Sequence, residues 1–446
     1  MKHLAPNIEN ACVVVLGDIG RSPRMQYHVK SLAETRYCVD LIAYVESKPL
    51  EDLTSNPNVR IHPLNPFPEL HLPGLLKYVF KSCWQALTLL MVLISIRKPK
   101  FILCQNPPAI PTVAVVYVYC LFARSTKMII DWHNYTHSIL AITSSPGSPI
   151  VKFAKAIEFR FGRKSSENLC VTKAMQQDLQ DNWNIRATVL YDRPPIQFHP
   201  TTLEERHNLF MNLSKVIPEF VGTVPDDEKI SDAQEVSAFT VKLSNGDIRY
   251  RQNRPALLIS STSWTPDEEF RILLDALDAY ETKAVDDPIL YPCLVCVITG
   301  KGPQKEHYKM LIRKKTWEKV IVITPWLENS DYPKLLAAGD LGVCLHYSSS
   351  GLDLPMKVVD MFGSGLPVCA IKFKCIEELV QHGQNGFIFD SSKELAGQIC
   401  EWFQDFPVNV ALTNQKELIN QKLKEFQQLR WDENWDRNVK PMLERL

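Results

Sequence analysis

The chain has 446 residues, 45% of them hydrophobic and 22% charged, which gives room for two or three domains with cores of their own. That usage excludes wholesale disorder and fibrous classes. Lys+Arg and Asp+Glu both number 50; a zero balance speaks against a protein whose main partner is nucleic acid, since phosphates demand a basic excess.

In chain order, Met1–Asn10 is polar, and the apolar run Ala11–Leu16 is too short for a secretory signal before Gly17 breaks it. Strands are expected at Cys12–Leu16, Cys38–Tyr44, Val59–Pro63, Phe101–Cys104, Met128–Asp131, Leu169–Thr172 and Thr188–Leu190. They alternate with helices at Pro23–Glu34, Leu75–Ile96, Ile110–Phe122, Ile150–Arg163 and Lys173–Asn182. Such alternation is the mark of an α/β fold with a parallel sheet. Two apolar stretches could be mistaken for membrane spans. Ser82–Ile96 is about 22 Å long as a helix, short of the roughly 30 Å hydrocarbon core, and Phe101–Ala123 is cut by Pro107, Pro108 and Pro111.

Asp192-Arg-Pro-Pro195 reads as a stiff linker. Met211–Arg254, charged and weakly periodic, reads as a surface insertion, disordered in part. Alternation resumes with strands at Ala256–Ser260, Leu294–Thr299, Val320–Thr324, Leu341–Leu345, Val368–Ala370 and Gly386–Phe389. The domains expected are therefore 1–195, a linker and insertion over 196–254, 255–412, and a helical segment 413–446 packing back toward the first domain. Most of the twelve cysteines stand alone in apolar runs, as reduced cytosolic thiols do. Cys293-Leu-Val-Cys296 lacks a second pair and reads as strand.

Four segments carry candidate chemistry. In Gly17-Asp18-Ile19-Gly20-Arg21-Ser22-Pro23-Arg24, the glycines permit a tight turn and Ser22 and Pro23 open a helix. Its amides, with Arg21 and Arg24, favour an anion; the plain alternative is a strand–helix turn with solvated arginines. Asp131-Trp-His133-Asn134-Tyr follows a strand, which puts His133 where open α/β sheets bind ligands and where an imidazole can take a proton. His133 and His137 lack a third partner for a metal. Thr299-Gly300-Lys301-Gly302-Pro303 offers bare backbone and a point charge for phosphate, and Ser261–Pro266 would open an amphipathic helix Asp267–Leu277, a second anion-friendly terminus. The densest cluster runs from Ser348 to Val368: a Ser/Gly loop with Gly351 and Asp353, then a helix from Pro355 carrying Lys357 and Asp360. Loop and helix terminus suit a diphosphate, and Asp360 suits a ribose; the bland reading pairs Lys357 with Asp360 at i,i+3.

Taken together, GDIGRSPRMQYH, IIDWHNY, SSTSWTPDEEF, ITGKGP and HYSSSGLDLPMKVVDMFG resemble the GT-B glycosyltransferases and, more closely, the chitobiosyldiphosphodolichol β-mannosyltransferase family. The likeness runs from about Ala11 to the C-terminus and takes in Trp431-Asp-Glu-Asn-Trp435. It implies two Rossmann-like doubly wound domains facing a central cleft. The implied reaction moves mannose from GDP-mannose to dolichyl-diphosphate-linked chitobiose, inverting to a β1,4 linkage; GDP-mannose is the donor substrate, no cofactor is expected and no metal ligand is assigned. The implied setting is the cytosolic face of the endoplasmic reticulum membrane, near other mannosyltransferases of the pathway. Family members usually carry an N-terminal membrane anchor, whereas the first strand here opens almost at once, so the mode of attachment stays open. Related retaining enzymes carry Glu-x7-Glu; eight positions before Asp360 stands Leu352, with Asp353 one off. Only the ribose role therefore passes to Asp360.

On this reading Lys301, Gly302, Gly351, Asp353, Lys357 and Asp360 bind the donor. Gly17, Gly20, Arg21 and Arg24 receive the acceptor's diphosphate, and closure of the domains excludes water. His133 is the expected base and Asp18 the second choice. Leu75–Ile96, with Lys77, Lys81, Trp84 and the basic Arg97, Lys98 and Lys100, is expected against the membrane surface; a buried core helix is the alternative. The competing functions are a non-catalytic scaffold in lipid-linked oligosaccharide assembly and a transferase that uses a UDP-sugar.

Overall fold

The computed structural model describes residues 9–69, 73–222, 232–328 and 330–446. They fall into two compact units, one of Met1–Asp192 with Trp431–Leu446 and one of Arg193–Arg430. The C-terminal segment is thus divided: Thr413–Gln428 packs on the helix Met356–Gly363, where Gln427 Nε2 donates to Phe362 O at 2.9 Å, while Trp431–Asn438 belongs to the first unit.

The first unit is built on seven strands: β1 (Glu9–Asp18), β2 (Tyr37–Tyr44), β3 (Val59–Pro63), β4 (Phe101–Asn106), β5 (Lys127–Trp132), β6 (Glu167–Cys170) and β7 (Thr188–Val189). All pair in parallel in the order β3-β2-β1-β4-β5-β6-β7. Sheets with helices on both faces need strands that are apolar on both sides, and Ala11–Leu16 is buried at every position.

In the second unit, β11 (Ala256–Ser261), β12 (Leu294–Thr299), β13 (Val320–Ile323), β14 (Leu341–Cys344), β15 (Val368–Ile371) and β16 (Gly386–Phe389) form a parallel sheet ordered β13-β12-β11-β14-β15-β16. Both sheets reverse direction beside their first strand, between β1 and β4 and between β11 and β14. Ligands of doubly wound sheets bind beyond the strand ends at that reversal, and the candidate residues follow those ends.

The charged segment after residue 200 is more ordered than its composition implies. Thr202 and Glu205 close a capping box on the helix Leu203–Ser214. Then β8 (Ala233–Val236), β9 (Thr240–Leu243) and β10 (Ile248–Tyr250) form an antiparallel sheet. Phe210, Phe220 and Phe239, each at most 1% exposed, give it a core. Asn245-Gly246, with Gly246 at φ +89°, is the hairpin signal. Residues 223–231 lie outside the described set.

The helix expected at Asp267 starts at Arg271 and runs to Asp286. Glu268 turns inward and accepts from Ser263 N at 2.9 Å, so the residues from Thr262 to Phe270 form a loop and the helix opens four positions later than expected. The helix Gly74–Ser95 is not the buried core helix of the alternative reading. Phe80 (51% exposed), Leu87 (54%), Met91 (53%) and Ile94 (69%) lie bare. Its 22 residues would span about 33 Å, longer than the charge-free run alone, so by length and composition it is able to cross a membrane.

Candidate active site

In the first unit, β1 leads into a single 3-10 turn, Ile19–Arg21, capped by Asp18. Asp18 Oδ1 accepts from Gly20 N (3.3 Å), Glu46 N (3.1 Å) and Ser47 N (3.0 Å), and Arg21 Nε stands 3.5 Å from Oδ2. Desolvation would raise its pKa, yet the Ser47, Glu46 and Gly20 bonds win and lower it. Asp18 is an anchor for two loops, which does not fit the role of second-choice base. A Cβ at Gly20 would stand 2.7 Å from Ser47 O, so only glycine fits there; beside Gly17 the space is open. Ser22 occupies the cap position of Pro23–Glu34 but makes no cap bond, its Oγ donating instead to Gln105 Oε1 at 2.9 Å.

Arg24 departs furthest from expectation. It is 2% exposed, with Nε and Nη2 on Asp131 at 2.8 and 2.9 Å and Nη1 on Leu190 O and Asp192 Oδ1, both at 2.8 Å. A charge-assisted bidentate pair to Asp131 and a single bond to Asp192 hold it, so its charge is already answered and it is buried away from an acceptor diphosphate. Arg21 keeps that possibility, its side chain 79% exposed.

His133 follows β5, its backbone N–H donating to Asn106 O at 2.8 Å. Its Nε2 lies 2.7 Å from Asp131 Oδ2. A carboxylate only accepts, so the neutral ring carries its proton on Nε2 and keeps a lone pair on Nδ1. Asp131 is fully buried, which by itself would raise its pKa; the Arg24 charge and the imidazole bonds hold it well below the carboxylate range. Next to it, Asn134 and Thr136 are tied in by Asn106 and by the buried Glu158, which accepts from Thr136 N at 2.6 Å and pairs with His137 Nδ1 at 2.7 Å. By sequence Asp131 and Glu158 carry no role of their own: Asp131 reads as the last residue of an apolar strand, and Glu158 as one more charge beside Lys155 and Arg160 on a helix.

In the second unit the glycine loop after β12 lies on the loop after β11. Cβ atoms at Gly300 (φ +127°) and Gly302 would stand 1.9 and 1.7 Å from the Thr262 and Ser263 carbonyl oxygens, so both positions demand glycine. Lys301 Nζ sits 3.6 Å from the centre of the exposed Trp326 ring. Glu268, 2% exposed, accepts from Ser263 N and Thr262 Oγ1 and pairs with Lys357 Nζ. Lys357 thus answers Glu268, a partner the i,i+3 reading did not include. Glu268 joins the glycine loop to the helix Met356–Gly363. Asp360 on that helix is near enough for its charge to add to the raised Tyr332 pKa, which burial chiefly causes.

Gly351 takes φ +72°, and Asp353 accepts from Ser348 Oγ. His346, absent from the sequence-based site, bridges this loop to the other: Nδ1 lies 3.0 Å from Asp267 Oδ2 and Nε2 3.7 Å from Asp353 Oδ2. Burial works to lower its pKa, but the two carboxylates prevail and push it up to about 9. Its protonated form is a fixed cation between carboxylates. Stability from a raised pKa is fully present below about 6.5, the unfolded value, and is lost as pH rises through the folded one. Melting of the intact chain should therefore fall between about pH 7 and pH 9, and His346→Gln should flatten that slope; equal slopes would dismiss the bridge.

Two parallel sheets of reversed strand order, each with its polar residues beyond the reversal, define a GT-B glycosyltransferase. Residues 254–405 match the family model described as glycosyl transferases group 1. A solved cyanobacterial structure, Anabaena Alr3699/HepE in complex with UDP-glucose, superposes with TM-score 0.64 over 98% of this chain and all of that one, at 18% identity, a likeness of fold. The chain is 48% identical to the chitobiosyldiphosphodolichol beta-mannosyltransferase of Mus musculus over 97% of its own length and 88% of the relative's. It is 42% identical to the UDP-glycosyltransferase TURAN of Arabidopsis thaliana, over 97% of both. It belongs to the chitobiosyldiphosphodolichol beta-mannosyltransferase family.

Proposed function

We propose that the protein transfers mannose from GDP-mannose to the chitobiosyl unit of a dolichyl diphosphate, inverting to a β1,4 bond. The observation that carries this reading is the 48% identity to a relative of that name over nearly the whole chain, and the His133–Asp131 pair gives it a mechanism. The acceptor hydroxyl loses its proton to Nδ1 of His133, and its oxygen attacks the anomeric carbon. The bond to the β-phosphate oxygen breaks from the opposite side, and GDP leaves with the electron pair. Asp131 holds the imidazole in the required tautomer and stabilises the imidazolium as it forms.

The second unit holds the donor. Lys301, Gly302 and the Gly351–Asp353 loop receive the diphosphate, and Asp360 the ribose. Lys357 leaves Glu268 for the phosphate, where negative charge grows as the bond breaks. Arg21 and the open side of Gly17, with Gly20, face the acceptor diphosphate. GDP should raise the melting temperature more than UDP, by mass action on the folded state, and Asp360→Ala should remove most of that shift. A larger shift with UDP would favour a UDP-sugar donor, the class for which the Arabidopsis relative is named.

The helix Gly74–Ser95 lies against the cytosolic face of the endoplasmic reticulum membrane. Bare apolar residues, with Lys77 and Lys81 near one end and Arg97, Lys98 and Lys100 after the other, support this. Leu87→Glu with Met91→Glu should reduce flotation with anionic liposomes while the melting temperature holds; unchanged flotation would place membrane contact elsewhere.

A further inference from the structure

The tryptophans of the helix Trp431–Asn438 have no part in the chemistry above, yet both reach the buried end of the His133 site. Trp431 lies edge-on to His28, ring centres 5.2 Å apart at 88°, and the Arg24 guanidinium lies 5.6 Å from its ring centre. Its Nε1 donates to Ser31 Oγ at 3.1 Å. Trp435 Nε1 donates to Nδ1 of His28 at 3.0 Å, and His28 Nε2 lies 3.1 Å from Asp131 Oδ2, the oxygen that also meets His133.

An indole N–H can only donate, so Nδ1 of His28 must accept. His28 is fully buried, and burial, opposed by Asp131, lowers its pKa and keeps the ring neutral. Its one proton is therefore on Nε2 and points at Asp131. We propose that Trp435 is a positioning residue for the transfer reaction: by anchoring the His28 ring at Nδ1 it aims the Nε2–H at Asp131, and that bond, with the Arg24 fork, sets the carboxylate that orients His133. Without the indole N–H the ring loses its hold on the Nδ1 side, while Asp131 still keeps the proton on Nε2. The ring then tilts, its bond to Asp131 Oδ2 lengthens, and the carboxylate turns away from the position that His133 needs. A helix more than 400 positions from His28 in sequence thereby completes the base.

This inference rests on His133 being the base, and the test separates the two. In the full-length chain, Trp435→Phe keeps the buried ring and removes the N–H. It should lower kcat on the order of tenfold, as loss of an orienting partner does, with the KM for GDP-mannose unchanged because the donor residues lie in the other unit. Long-range nitrogen–proton NMR of the imidazoles should show His28 and His133 as Nε2–H tautomers, with both Nε2 protons moved upfield in the variant as their bonds to Asp131 weaken. His28→Gln, which keeps a donor toward Asp131, should retain most of the turnover that His28→Leu loses, and this pair decides the matter if Trp435→Phe does not fold. Wild-type kcat in folded Trp435→Phe, an unchanged His133 Nε2 proton shift, or equal losses in the two His28 variants would each overturn the proposal. An active His133→Ala beside shifted imidazole protons in Trp435→Phe would leave the relay standing and remove the base.

Discussion

Arg24→Met should destabilise the first unit by about 3–5 kcal/mol, the usual cost of stripping one partner from a buried ion pair. Asp131 and Asp192 would lose their cation at once, and Asp131 is fully buried, with only imidazole donors left. A double-mutant cycle with Asp192→Asn should show non-additive losses, because both residues share one guanidinium. Denaturant unfolding followed by tryptophan fluorescence reads this directly. The opposite expectation, an arginine serving the acceptor's diphosphate, forecasts normal stability and a raised acceptor KM, so one variant decides between them.

His133→Ala should lower kcat by roughly 10²- to 10⁴-fold, the range that general-base catalysis supplies. GDP affinity and melting temperature should hold, since the ring is partly exposed, its side chain 20% accessible, and lies in the unit other than the one proposed to bind the donor. Asp131→Asn should be nearly as damaging for another reason. An amide can donate to the ring, which permits the wrong imidazole tautomer, and it leaves Arg24 with one carboxylate fewer. Full turnover by His133→Ala would put the base at a different residue.

The parallel sheets were legible because strands buried on both faces must be apolar throughout: Leu294–Thr299, buried at every position, comes out with the bounds its pattern implies. Local patterns misled where a distant partner decides. Pro266-Asp-Glu has the look of a helix start, but Glu268 is drawn to Lys357, 89 positions on. Arg24 beside a glycine turn reads as an anion ligand, and nothing nearby reveals Asp131 and Asp192, 107 and 168 positions away. The same holds for His346, whose partners come from two loops. His133 was visible because the strand before it ends in plain sight, whereas its orienting carboxylate was hidden inside that strand. The antiparallel insertion went unread because its charged, short strands show little period, although Asn245-Gly246 marked the hairpin.

Mannose transfer from radiolabelled GDP-mannose to a synthetic chitobiosyl-diphosphate lipid, with the anomeric configuration of the product assigned by NMR, tests the central claim most directly. The account predicts one β-linked mannose per acceptor and none from UDP-mannose. An α-linked product, or no product from folded protein that binds GDP, would contradict it.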